Sequence, residues 1–508
     1  MKKKERFFLR VFFLAVFIVL LTACSSDTES NEQVSDEDGE VNEETETLTI
    51  AFPYFYGEPE DLEKVETEIS KLAEEKINTT VDILALSISA YQQQMNLMLT
   101  SDEKLDLMVI LADQLSPQVS RGQLHELDNN LSENGQGIID AVGEEFLAAT
   151  KINGKQYAIP TVRDMAASYG FMMSKEYVDK YDIDVDQIKT MEDMGEVLRM
   201  VKENEPNMEP LTSTTVGESI METLRFVDPL SDFNGGVLPN YDNDLQVVNL
   251  YEMPEYVERL EILREWYQEG LIVQDIATSQ TTKDELLKAG KIFAFSQGMK
   301  PGIETQNSRD MNQDMVAAEI IPPVATTSNV ASIMWGIPRN SKIPEKAMEF
   351  LNLLYMDKEM FNLISWGIEG EHYVKVSDKV ITYPEGVTSE NIGYSFNSSW
   401  LFGNQFLSYV FEGEDPDIWE ETKEFNEEAT KSKALGFNFN SDPVRTEVAA
   451  VSNVKEQYLL GLETGSLDLE SVYPEFIERL KEAGIEKIIE EKQRQLDEWA
   501  EINGVEKE

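Results

Sequence analysis

The chain has 508 residues, enough for two or three domains with ample core. It carries 43 basic against 96 acidic residues, a net charge of −53, with 41% apolar residues. That surface repels nucleic acid and anionic membranes, and a single cysteine excludes an internal disulfide framework.

Residues 1–10 hold Lys2, Lys3, Lys4, Arg6 and Arg10 against Glu5, and residues 11–21, VFFLAVFIVLL, are continuously apolar. A basic start, a short apolar run and then small residues predict a secretory signal peptide over 1–23. As a helix the run spans about 16 Å, short of the ~30 Å a bilayer core presents, so a permanent span is not expected. Leu21-Thr22-Ala23-Cys24 resembles a bacterial lipobox. That resemblance implies cleavage before Cys24 and a diacylglycerol on its sulfur, with acyl chains of the palmitate kind. Two such chains, at about 0.8 kcal/mol per buried CH₂, anchor a protein stably. An acylated Cys24 leaves no thiol for a metal, a disulfide or a nucleophile. Residues 25–47 hold ten acids, no base and no aromatic. They cannot bury enough apolar area to offset ordering entropy, so 24–47 is expected to be a disordered acidic tether.

The folded body is expected from Leu48. LTIAF (48–52) reads as a strand, and residues 61–77 place Leu62, Val65, Ile69, Leu72 and Ile77 on one helical stripe. A strand over 80–84, a helix over 89–102 and an apolar strand over 106–111 follow. Strand, helix, strand, helix, strand at this pitch predicts a parallel sheet in an α/β fold. Ligands of such sheets bind beyond the carboxyl ends of the strands. The loops 53–60 and 112–117 therefore matter most, and they carry Tyr54, Tyr56 and Asp113. Asn153-Gly154 marks the turn of a hairpin over 151–160. A strand and helix over 167–181, helices over 192–204 and 256–272, and strands over 291–298 and 330–338 come next. Pro344 opens a helix to 357, and the C-terminal stretch is helical, with Pro474 read as the first residue of one helix and Gly484 as its stop.

Lipobox, acidic tether, βαβαβ and then Asn153-Gly154-Lys155…Tyr157-Ala158-Ile159-Pro160 together resemble an extracellular solute-binding lipoprotein of an ABC importer, in the sugar-binding branch. Trp266-Tyr267-Gln268-Glu269-Gly270-Leu271-Ile272 and the PEKAMEFLNLLYMD helix (344–357) fit that branch. WGIEGEHYV (366–374) and the stretch 436–499 resemble its LipO-type subfamily. The resemblance implies a two-lobed periplasmic-binding-protein-like fold of type 2, with a helical C-terminal extension. Lobe one would comprise 48–165 and 290–365, and lobe two 166–289 and 366–508. The ligand would sit between the lobes, and hinge closure around it would present the protein to the ABC permease membrane subunits.

A saccharide offers hydroxyls and an apolar ring face, so its site needs aromatic planes beside carboxylates, amides or Arg. Tyr54 and Tyr56 suit stacking, and Asp113 suits hydroxyl pairing at a strand end. Arg163 and Asp164 fall where the chain is expected to cross between lobes, so either a hinge ion pair or ligand contact fits them. Trp335 lies among core residues, and both packing and ligand stacking fit it. Trp366 and Glu369 sit beside two glycines, which fits a ligand contact or a turn at the lobe junction. Trp400, in SFNSSWLFGNQF (395–406), is a further stacking candidate, whereas Trp266, Trp419 and Trp499 lie on helical stripes and read as core. His372 reads as a hydrogen-bonded structural residue.

No HExxH, GxSxG, Walker loop or Rossmann glycine triplet occurs, and two distant histidines argue against zinc. No cofactor is expected. The sequence reading is therefore a monomeric lipid-anchored receptor on the extracellular face of the cell membrane. It binds a carbohydrate, an oligosaccharide by preference, without altering it. A secreted carbohydrate-active enzyme and a peptide-binding or sensor-coupled protein are the alternatives.

Overall fold

The computed structural model describes residues 45–101, 103–111 and 114–507. The signal peptide, Cys24, nearly all of the expected tether and Asp113 lie outside the described residues. The first half carries β1 (Glu46–Tyr54), α1 (Leu62–Ile77), β2 (Thr79–Ser87), α2 (Ile88–Thr100), β3 (Leu107–Leu111), β4 (Ile159–Pro160), β5 (Ala167–Ser174) and β6 (Leu211–Thr212). The second half carries β7 (Ala294–Met299), β8 (Met315–Ala325), β9 (Ile333–Gly336), α3 (Pro344–Met356), α4 (Lys358–Trp366), α5 (Ile418–Glu428) and β10 (Thr430–Lys431). It ends with α6 (Arg445–Glu463), α7 (Leu469–Ala483) and α8 (Ile485–Asn503).

β1 is apolar through Leu48 and Ile50–Phe52, all fully buried, because it lies inside a sheet covered on both faces. α1 buries Val65, Ile69 and Ala73 against it and stops at Asn78, whose left-handed φ of 51° lets its N–H bond Glu74 O. The first sheet runs β2-β1-β3-β9-β4. β1, β2 and β3 are parallel, so their carboxyl ends share one edge. β9 is antiparallel to β3, and Ile333 opposite Leu111 puts the start of β9 at that same edge. Met334 opposite Pro160 brings the end of β4 there too.

The second sheet runs β10-β8-β5-β7-β6. Ala167 opposite Val324 and Ser168 opposite Met299 gather the start of β5 and the ends of β7 and β8 at one edge. Two short links, 161–166 and 326–332, join the two gathered edges. A third passes through Gly403 and α5 to β10. Val162 N–H donates to Gly403 O and Gln405 N–H to Val162 O, both at 2.9 Å. Each sheet has its own hydrophobic core, one around Phe52, Trp335, Phe396 and Phe402 and one around Phe171, Trp266 and Phe295. Residues 45–507 thus form two α/β lobes facing each other across their strand ends.

The expected lobe boundaries need correction. Residues 290–325 do not join lobe one, because β7 and β8 pair with β5 in the second sheet. Residues 366–407 do not join lobe two, because Tyr394, Phe396, Leu401 and Phe402 pack into the first core. Pro474 is not the first helical residue either. Asp468 caps α7 by accepting from Ser471 N–H at 3.2 Å, so Pro474 lies inside the helix and removes one bond from it.

The C-terminal helices are bolted onto the second lobe by buried polar groups. The Lys492 ammonium, fully buried, donates to Asp232 Oδ1 (2.6 Å), Gly236 O (2.9 Å) and Pro229 O (3.1 Å). Removing one partner of a buried pair strands the other. Lys492→Ala is therefore expected to lower unfolding free energy by about 3–5 kcal/mol in urea titration, against little change for a surface control such as Lys423→Ala.

Candidate functional site

The edge of lobe one that faces lobe two is aromatic. β1 ends in Tyr54, half-buried, followed by Phe55 and by Tyr56, which is 76% exposed. Phe55 packs on Trp400 with ring centroids 5.0 Å apart and planes tilted 55°. Trp400 rides on a single tight turn, Ser399–Leu401. Trp335 holds that turn from below, its indole N–H donating to Leu401 O at 2.9 Å. Trp335 is fully buried and packs edge-on against Phe52, so it has no face for a ligand. It supports the aromatic edge and does not belong to the site.

The floor between the lobes is charged and hydrogen-bonded. Arg163 donates to Asp164 Oδ1 (2.7 Å) and to Asn329 O (3.1 Å), and also to Ser332 Oγ. Asp164 is shared with Lys300, at 3.3 Å, immediately after β7. Asn426 on α5 closes the arrangement: its Nδ2 donates to Arg163 O (2.6 Å) and its Oδ1 accepts from Met165 N–H (2.8 Å). Burial pushes the Asp164 carboxyl up, but Arg163 and Lys300 beside it outweigh that and hold it below the usual aspartate value. Next to this hub a crevice of about 10 Å³, room for about one water, is lined by Tyr169, Arg225, Tyr241, Thr326, Ser328 and Asn329. Ser328 Oγ, Gln297 Oε1 and Thr161 Oγ1 are buried there or on adjoining strand ends without a partner among the described residues. Such atoms are open to a hydroxyl or a water.

Of the residues expected from sequence, Tyr54, Tyr56, Trp400 and Arg163 thus fall at the facing edges. Trp366 and Glu369 do not join them. Trp366 ends α4, donates to Ser408 Oγ at 2.9 Å and stacks on Phe411. Glu369 pairs with Lys375 at 2.8 Å. Glu369 and Lys375 line a different pocket of about 570 Å³, walled by α1 and α4, which includes none of the floor residues. The glycine beside Trp366 answers to packing. Gly367 has φ +80°, and a Cβ on it would lie 2.5 Å from His372 Nδ1. Lys300, Asn329, Ser328 and Tyr241 were missed. The strand-end rule applied to the start of β9 and the ends of β7 and β8 finds the first three, but the antiparallel pairing that gathers those ends is not written in local pattern.

Asp61, Glu371 and His372 bring ligand atoms within 4.8 Å of one another. His372 Nδ1 accepts from Ile368 N–H (2.9 Å), so the neutral ring carries its proton on Nε2, which faces Asp61 Oδ2 at 3.2 Å. No lone pair is left for a cation, and Glu371 is taken by Lys64. The group is a clip between the start of α1 and the 366–374 turn and does not fit a metal.

Residues 69–368 match the family described as bacterial extracellular solute-binding protein, and residues 433–501 match a domain of unknown function. A carbohydrate ABC transporter substrate-binding protein of Streptococcus pneumoniae is 29% identical over 447 residues, 87% of this chain and 89% of that one. Lipoprotein LipO of Bacillus subtilis is 22% identical over 392 residues, 73% of this chain and 74% of that one. The crystal structure of the N-glycan transport solute binding protein NgtS of Streptococcus pneumoniae superposes with a TM-score of 0.77 at 28% identity, covering 90% of this chain and 99% of that one. Its complexes with Man1GlcNAc and Man5GlcNAc superpose with TM-scores of 0.69 and 0.66.

The Asp164 carboxyl gives the floor a pH signature. A carboxyl with a depressed folded value contributes stability above its unfolded value, near 3.9, and loses it as pH falls through the lower folded value. Asp164→Asn is expected to lower the urea midpoint at pH 7 and to shrink the loss of stability between about pH 4 and pH 2. An acid limb identical to that of the parent chain would contradict the assignment.

Proposed function

Because the chain belongs to the bacterial extracellular solute-binding proteins, we propose that it is the lipid-anchored receptor of a carbohydrate ABC importer. It holds an oligosaccharide between its lobes and hands it, unaltered, to the permease subunits. The observation that carries this reading is the pairing of an aromatic edge on lobe one with a hydrogen-bonding floor shared by both lobes. Phe55, Trp400 and Tyr56 offer ring faces to a sugar, and Arg163, Lys300, Tyr241 and Asn329 offer donors and acceptors to its hydroxyls. A ligand closes two lobes only if it binds the closed state better than the open one, which requires contacts on both sides. The relatives whose names include carbohydrate transport and N-glycan transport support the same reading.

Anchoring follows from the N-terminal pattern. No helix of the described residues is long and apolar enough to cross a membrane, and Cys24 with two or more acyl chains supplies the attachment. The acidic stretch behind it, about 75 Å at full extension, lets the monomeric body reach the permease while staying at the outer surface.

A glycan panel tests the proposal. Mannosyl-N-acetylglucosamine, malto- and galacto-oligosaccharides are compared with oligopeptides by thermal shift. A binder at 100 times its Kd is expected to add about 2.7 kcal/mol of stability. Trp400→Ala is expected to weaken that binder roughly tenfold. Chromatography after overnight incubation is expected to return the glycan intact. New products would replace the receptor with an enzyme, and peptide-only stabilisation would replace the sugar.

A further inference from the structure

A recess of about 430 Å³ opens in lobe two between the 217–233 segment and α6 of the C-terminal module. Its size falls within the range of small-ligand pockets. Phe233, 43% exposed, presents a ring to it, and the Arg225 guanidinium stacks 4.6 Å over that ring. Lys455, Leu459 and Glu463 of α6 form the opposite wall. Without α6 there is no enclosure.

The chemistry of the lining selects a class of ligand. Arg225 donates to Glu222 O (3.3 Å) and Lys455 to Phe233 O (2.6 Å), so both cations end on backbone carbonyls and keep further donors. Glu222 and Glu456 face them as acceptors. Deeper in, Glu463 accepts from Ser219 Oγ (2.6 Å) and Tyr256 O–H (2.7 Å). Burial pushes the Glu463 carboxyl up and the Lys455 ammonium down, so charge is disfavoured at both. Two cations, Arg225 and Lys455, face three carboxylates, Glu222, Glu456 and Glu463, so both signs are present and neither an anion nor a cation meets a field of one sign. A neutral polyhydroxyl compound uses both kinds of group, and an apolar ring face suits Phe233.

Arg225 and Val227 line this recess and also the interlobe crevice. We propose that the recess is a second saccharide subsite, parted from the one-water crevice by Arg225 and Val227, so that a long glycan held between the lobes reaches past Arg225 into the recess beside the C-terminal module. The inference rests on the carbohydrate reading above. It gives the C-terminal helices a binding role and makes the protein select for glycan length.

The test compares a short and a long member of one series by calorimetry on the full soluble chain, Man1GlcNAc and Man5GlcNAc first. If another panel series binds instead, its shortest and longest members are used. Phe233→Ala removes the platform, and Leu459→Trp fills the recess. In both variants the ratio of long-glycan to short-glycan affinity is expected to fall roughly tenfold. Trp400→Ala is expected to weaken both glycans and keep the ratio. Thermal melting without glycan checks that each variant is folded, and Phe233, being exposed, is the safer of the two. A ratio that stays within threefold of the parent's in the folded variants overturns the subsite and leaves the receptor standing. A parent chain that binds no glycan of the panel removes the carbohydrate reading itself, and the subsite with it.

Discussion

Arg163 and Asp164 are neighbours in sequence, yet between them they touch the ends of three other segments. The guanidinium reaches Asn329 O and Ser332 Oγ on the second link. The carboxylate reaches Lys300 at the end of β7. The Arg163 carbonyl accepts from Asn426 on α5. Side-chain exposures of 15% and 21% leave these charges too dry to stand alone and wet enough to avoid the full cost of burial. Charge-assisted bonds of this kind contribute roughly 1.5–3 kcal/mol each. The hub fixes where the two gathered strand edges meet, and so fixes the floor between the lobes. Any hinge bending must then occur in the backbone around it, because the hub already ties the crossing segments to one another.

The chain's acidity acts elsewhere. Most ion pairs lie at the surface, where each contributes about 0–1 kcal/mol, and salt screens the bulk field beyond ~8 Å. A neutral glycan would not be steered by a charge of −53 in any case. What the interior shows is a different use of charge. Arg163 and Lys300 at the floor share Asp164, and Arg225 and Lys455 at the recess end on backbone carbonyls. In a chain so poor in bases, placing them at these edges keeps donors where hydroxyls would need them.

Period and turn chemistry made lobe one's opening legible. Leu48 to Phe52 as a strand, Val65 and Ile69 on the buried stripe of α1, and Asn153-Gly154 with φ of 53° and 76° as a hairpin turn all follow from local pattern, although Ala73 and not Leu72 completes that stripe. Tyr54 and Arg163 came to the facing edges for the same reason, since strand ends and crossings can be read along the chain, whereas Trp400, expected in lobe two, packs with the core of lobe one. The largest failures are non-local. Trp335 is apolar and flat wherever it lies, and only the neighbouring turn at Leu401 decides that it is enclosed. Gly367 looks like room for a ligand until His372, five residues on, fills that room. β7 and β8 change lobes because they pair with β5, a choice made by register across more than a hundred residues.

The same non-local logic governs the C-terminal helices. Residues 433–501 match a domain in their own right, which invites reading them as an appendage. Their buried polar groups argue otherwise. Among the described residues Lys492 donates to Asp232 and the carbonyls of 229 and 236, and Glu463 accepts from Ser219 and Tyr256. A module that folded alone would uncover Ile485, which lies against Gly235, and leave a lysine and a glutamate without partners. Lobe two would lose the cover of Tyr251 and Phe476, which pack edge to face at 5.2 Å. The second lobe and its C-terminal helices are therefore one folding unit, and any ligand held at their seam is held by a rigid wall on each side.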